Sequence, residues 1–131
     1  MKKNLSKLFR GSGFSLLKLR LPVQICRAVD AWVEEKGYIR PLHSVEDIAA
    51  DIGIPAGQLG LYVRVWHRMS VLSWRKMLRI REAQHLLLDC PDLPVSVIGE
   101  LVGIEDKSNF KRQFAQVAGV SPRVWRERHM R

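Results

Sequence analysis

Apolar residues recur along this chain at helical spacing, in segments cut by glycine and proline. After Pro22, positions Ile25, Val29, Trp32 and Val33 lie on one helical face, and the pattern stops at Gly37. His43-Ser44 offers an N-cap with Asp47 three residues on, an approximate capping box. Ile48, Ala49 and Ile52 continue that helix to Gly53, and Leu59, Val63 and Trp66 mark the next. The longest candidate runs from Leu72 to Asp89, with Trp74, Met77, Leu78, Leu86 and Leu87 along one side. The run Cys90-Pro91-Asp92-Leu93-Pro94 ends it. Three shorter helices are predicted at 95–102, 106–118 and 122–129. No run alternates with period two, so the predicted fold is all-α.

The pattern repeats. Sliding the sequence by about fifty residues brings Ile48, Gly53 and Ile54 onto Ile98, Gly103 and Ile104. With one residue added, Leu59 and Val63 fall on Phe110 and Phe114, and Ser70, Trp74 and Arg75 fall on Ser121, Trp125 and Arg126. Each copy is a short helix, a glycine-containing turn and a second helix, which is the outline of a helix-turn-helix. A turn that tight calls for a positive φ, hence the glycine.

Charge adds a partner class. The 131 residues carry a formal net charge of +9 with 47% hydrophobic residues, enough for a folded core. The cations cluster: residues 1–20 contain no acid, nor does the stretch from Ile52 to Arg81, and Lys107, Lys111, Arg112, Arg123, Arg126, Arg128 and Arg131 form a third set. Such clustering points to a polyanion, either nucleic acid or an anionic membrane surface. In the second copy Phe110 and Phe114 share one helical face, extended by Val117 and Ala118. That leaves Lys107, Ser108, Lys111 and Arg112 on other faces, with Asn109 at the margin. These five are the candidate base-reading residues in the major groove of double-stranded DNA, since Arg and Lys donate to guanine and Asn pairs with adenine. Gly119 ends this helix, and Ser121-Pro122 caps and starts the next.

The stretch IGELVGIEDKSNFKRQFAQVAGVSPRVWR resembles the signature of the AraC/XylS family of bacterial transcription regulators. The matching positions are Ile98, Gly103, Ser108, Phe110, Arg112, Phe114, Gly119, Ser121, Pro122, Trp125 and Arg126. VEDIAADIGI through WRKMLRIREAQHLL is similar to the family's first motif and linking helix, with Trp74, Arg79 and Ala83 in place. The resemblance covers roughly Pro22 to His129. It implies two helix-turn-helix subdomains of homeodomain-like three-helical form, at about 44–70 and 95–120, joined by a linker helix at about 72–89. The expected organisation is a basic segment over 1–21 and a DNA-binding domain over 22–131. The recognition helices of the family enter successive major grooves. A linker of about eighteen residues spans roughly 27 Å, and subdomains on its ends approach the ~34 Å groove spacing. Arg64, Arg75, Lys76, Arg79, Arg126 and the helix start at Asp106 are the expected contacts to the DNA backbone.

The first motif departs from the family pattern. Its groove-facing positions fall near Gly57, Gly60 and Leu61, none of which can hydrogen-bond a base edge through its side chain. Two glycines in a helix interior cost about 1 kcal/mol each relative to alanine. Arg68 stands where a glycine is expected and Val63 where Phe is preferred, while Arg64 keeps the expected cation. This copy is expected to keep its fold and some backbone affinity but to read little sequence. In the second motif Gly99 replaces a usual alanine, Ile104 an aromatic and Ala115 a basic residue.

Other chemistries find little support. Cys26 and Cys90 form no metal-binding spacing, the four histidines are scattered, and no nucleotide-binding, zinc-protease or nucleophile motif occurs. No enzyme activity, cofactor or metal is expected, and the protein reads as cytoplasmic. Leu61 and Val65 read as an outward apolar pair which, with Tyr62, forms a candidate protein interface toward RNA polymerase or another regulator. Residues 1–20 interleave leucines with cations, suiting an interfacial helix, a basic arm on DNA or a linker remnant; membrane contact is not the expectation. No stretch has the size of a separate sensor domain, so no effector pocket is assigned.

Overall fold

The structure is a computed structural model that describes residues 21–130; the reading of residues 1–20 lies outside them. Seven α-helices account for the regular structure of these residues, with one short 3-10 turn, Gly37–Ile39, and no strand. The fold is all-α, as the sequence predicts. The helices are α1 (Val23–Glu34), α2 (Val45–Ile52), α3 (Ala56–His67), α4 (Val71–Asp89), α5 (Val95–Leu101), α6 (Lys107–Ala118) and α7 (Pro122–His129).

Local chemistry sets their ends. Ser44 caps α2 with a full capping box: its hydroxyl accepts from the Asp47 N–H at 3.0 Å, and the Asp47 carboxylate accepts from the Ser44 N–H at 3.3 Å. Ser121 caps α7 by accepting from the Val124 N–H at 3.3 Å, with Pro122 in the first helical turn.

The chain divides into two compact units. The first comprises the described residues up to Gly37 together with Leu42–Trp74. Ile25, Val29, Trp32, Ile48, Leu59, Tyr62, Val63, Val65 and Trp74 are buried there. Trp32 and Trp74 stack with centroids 5.6 Å apart, and the Trp32 indole N–H donates to Asp51 at 2.7 Å. The ring thus buries its apolar body while its one polar group is satisfied.

The second unit comprises Tyr38–Pro41 and the chain from Arg75 onward. Its core joins Ile80, Ala83 and Leu87 of α4 to Ile98 and Val102, Ile104, and Phe110 and Phe114 of α6. Phe114 meets Phe110 and Trp125 edge-on, at centroid distances of 5.9 and 6.1 Å. Burying each Phe contributes about 1.5–3 kcal/mol, which makes these rings the anchor that fixes the rotation of α6 about its axis.

Both helix-turn-helix turns have the same backbone. Gly53 and Gly103 are left-handed at φ 91° and 88°. Ile54 N–H returns to the Ala49 carbonyl at 3.0 Å, and Ile104 N–H to that of Gly99 at 2.8 Å. Gly103 has a second constraint, because a Cβ there would lie 2.5 Å from the Ile39 carbonyl oxygen. Gly99, the departure from alanine, also has a steric origin: a Cβ would sit 2.8 Å from Cγ of Phe110. Helix α5 lies so close to that ring that only a hydrogen fits between them.

Candidate nucleic-acid interface

Helix α6 separates its chemistry by face. Phe110 and Phe114 are buried, whereas Lys107, Ser108, Lys111 and Arg112 are exposed and Asn109 is half-buried. The five sequence-chosen residues therefore share the N-terminal half of one anchored helix. Asn109 organises the group: its amide oxygen accepts from the Arg112 guanidinium and, at 3.1 Å, from the Gln113 amide. Gln113 was not among the sequence candidates, and its spacing four residues after Asn109 is the signal that would have found it.

Asp106 requires a correction. Its carboxylate caps α6 by accepting from the Asn109 N–H at 2.7 Å. An anion already occupies the helix start, so this residue shapes α6 rather than receiving a phosphate.

Arg126 also changes role. Its guanidinium donates to three main-chain carbonyls: Leu87 at 2.9 Å, Leu93 at 3.1 Å and Cys90 at 3.3 Å. It closes the C-terminal end of α4, where carbonyls lack intrahelical partners and a cation is favoured. Arg79 is engaged similarly, its Nε donating to the Tyr38 carbonyl at 2.5 Å and an Nη to that of Arg40 at 2.9 Å. Burial, aided by the neighbouring Arg75, lowers its pKa to about 10. Nearby, burial and the Glu82 carboxylate push the Tyr38 phenol up to about 12. Burial likewise lowers the pKa of Arg75, which is half-exposed. Lys76 is half-exposed and donates to the Gln116 side chain at 3.1 Å. The repeat register pairs Arg75 with Arg126, but nothing in residue spacing reveals that Arg126 folds back on carbonyls.

In the first unit, Arg64 is exposed in the last turn of α3. Gly57 and Gly60 have no atom within 4 Å of where a Cβ would stand. Packing therefore does not require these glycines, and neither position presents a side chain to a base edge; Gln58 between them is half-buried, with its amide oxygen turned inward. The candidate protein interface is overturned: Tyr62 and Val65 are each 2% exposed, and only Leu61 is half-exposed. The i, i+4 spacing that suggested an outward pair instead turns Val65 into the core. Burial, with the Asp30 carboxylate, raises the Tyr62 pKa. Among the described residues no group of His, Cys, Asp and Glu could hold a metal ion, and no helix is long and apolar enough to cross a membrane.

Two helix-turn-helix units, one of them with a cationic, aromatic-anchored second helix, define a tandem helix-turn-helix domain. A family described as a helix-turn-helix domain matches residues 48–128, and the chain belongs to this AraC-type family. The arabinose operon regulatory protein of Escherichia coli is 33% identical over 82 residues, covering 63% of this chain and 28% of that protein. The HTH-type transcriptional activator RhaR of Cronobacter sakazakii is 39% identical over 59 residues, covering 45% of this chain and 20% of its own. The chain thus spans less than a third of the length of these relatives. Among solved structures, the C-terminal domain of AraT, a response regulator from Geobacillus stearothermophilus, superposes with a TM-score of 0.71 at 25% identity, covering 86% of this chain and 90% of that one. The DNA-binding domain of AdpA, solved with a target DNA, gives 0.66 at 21% identity, covering 81% and 92%, a likeness of fold.

Proposed function

We propose that this chain is a sequence-specific DNA-binding transcription regulator whose second helix-turn-helix dominates base readout. The observation that carries the reading is the division of α6: buried Phe110 and Phe114 behind, exposed Lys107, Ser108, Lys111 and Arg112 in front. A helix held by two rings enters the major groove with its N-terminal half leading. Arg112, Lys111 and Lys107 address guanine and Ser108 either base, a good bidentate Arg–guanine pair being worth about 1–3 kcal/mol of discrimination. Asn109, its amide oxygen taken by Arg112 and Gln113, keeps only its amide N–H for adenine N7. Arg64, with Arg75 and Lys76, supplies backbone contacts that set affinity without sequence. The first unit, bare at Gly57 and Gly60, contributes such affinity and little readout. The protein acts as a regulator rather than a catalyst, and in the cytoplasm.

Binding of the full chain to a mixed-sequence duplex, followed by fluorescence anisotropy across a salt series, tests the DNA-binding part of the reading. Log affinity is expected to fall linearly with log salt, by about 0.9 per phosphate neutralised. Binding with no salt dependence, or none at low salt, would remove it.

A further inference from the structure

We propose that a cleft on the second unit binds an acidic peptide segment carrying one apolar anchor residue, and that its occupancy competes with DNA. The cleft has a volume of about 400 Å³ and is lined by Val95, Lys111, Ser121, Pro122, Arg123 and Val124. It sits where the start of α5, the middle of α6 and the start of α7 converge. That volume lies in the range of small-ligand sites, about 300–1,000 Å³, and takes an inserted side chain.

The lining selects the occupant. Val95, Pro122 and Val124 give it an apolar wall, while its only ionised groups are the cations Lys111 and Arg123. The Ser121 hydroxyl is turned to the Val124 N–H at 3.3 Å as the cap of α7. A hydrated phosphate strand gains nothing from an apolar wall, and a neutral apolar ligand gains nothing from two cations. An apolar side chain flanked by carboxylates uses both, and Arg recognition of acidic motifs is a recurring peptide-binding mode. Arg123 has one competing partner, Glu127, 3.6 Å away across a helical turn and widely exposed. Surface pairs of that kind are weak and yield readily to an entering carboxylate. The net charge of +9 favours the same class of partner.

The competition rests on the proposed DNA reading of α6, because Lys111 belongs to both sites. A peptide held there removes Lys111 from the groove, so the cleft is a place where an acidic partner protein turns DNA binding off.

The test uses the full chain and a fluorescein-labelled peptide of Glu and Asp with one central Phe, beside the same peptide with Ser for Phe. The Phe peptide is expected to bind at least tenfold more tightly and to displace a labelled mixed-sequence duplex. Arg123→Glu should weaken the Phe peptide at least tenfold and duplex affinity by a clearly smaller factor. Equal binding of the two peptides would overturn the proposal, since charge alone would then suffice. So would an Arg123→Glu chain that keeps the peptide but loses duplex affinity, with a salt slope lower by about one; the cleft would then hold a DNA phosphate. Simultaneous binding of peptide and duplex would refute the competition. Absence of duplex binding by the unsubstituted chain would defeat the DNA reading itself, and peptide binding is measured independently of it.

Discussion

Arg68 and Gly119 end equivalent helices in the same left-handed conformation, at φ 56° and 84°. Each donates its N–H to the carbonyl four residues back at 2.9 Å, Arg68 to Arg64 and Gly119 to Ala115. The backbone of the repeat is therefore conserved between copies where the residue is not. A side chain in this region costs about 1–2 kcal/mol, and glycine gives back about 0.4–1 kcal/mol through the unfolded chain's entropy. Arg68→Gly is expected to raise stability by roughly 0.5–1 kcal/mol, read as a higher urea midpoint with unchanged slope.

The glycines of the two motifs should respond in opposite directions to alanine. Gly57 and Gly60 face open space, so Gly60→Ala is expected to stabilise by about 1 kcal/mol through helix propensity, and Gly57→Ala, in the first turn of α3, by less. Gly99→Ala drives a Cβ toward the Phe110 ring, 2.8 Å from its Cγ. That overpacking is expected to destabilise by about 1–3 kcal/mol. Thermal melts of the three variants decide it, and a stabilising Gly99→Ala would show that α5 shifts freely.

For Arg126, substitution separates clamp from phosphate contact. Arg126→Ala leaves the carbonyls of Leu87, Cys90 and Leu93 without this donor. Hydrogen bonds to charged groups contribute about 1.5–3 kcal/mol; with the site partly exposed, the expected loss of stability is about 2 kcal/mol. The DNA salt slope should stay the same. A slope lower by about 0.9 with stability unchanged would restore the phosphate assignment.

Much of this arrangement was legible in the sequence, for physical reasons. Helix periods, glycine turns and serine caps are local, so the seven helices and the two turns followed from spacing, and the ring-bearing face of α6 followed from Phe110 and Phe114. Long arginines were the less legible part. Arg79 and Arg126 reach carbonyls more than thirty residues away along the chain, which no helical spacing encodes. Tyr62 and Val65 were misplaced because α3 is apolar around much of its circumference, with Leu59, Tyr62, Val63 and Val65 all buried. Periodicity cannot choose the outward face of such a helix.

Arg112 and Asn109 should act as a pair. Arg112→Ala is expected to cost about 1–3 kcal/mol on a selected site and to relax preference at one base pair. Asn109 holds the guanidinium, so Asn109→Ala should lose part of the same preference, and the double variant should lose less than the sum of the two. Equal weakening on every sequence would make Arg112 a backbone contact only.

The central claim, one reading motif beside a mute one, is tested most directly by selecting binding sites for the full chain from a random duplex pool and footprinting the winners. We expect base preferences concentrated in one half of the protected region, with the other half protected but nearly free of sequence. Strong preferences in both halves would contradict it, because α3 would then read bases despite Gly57 and Gly60.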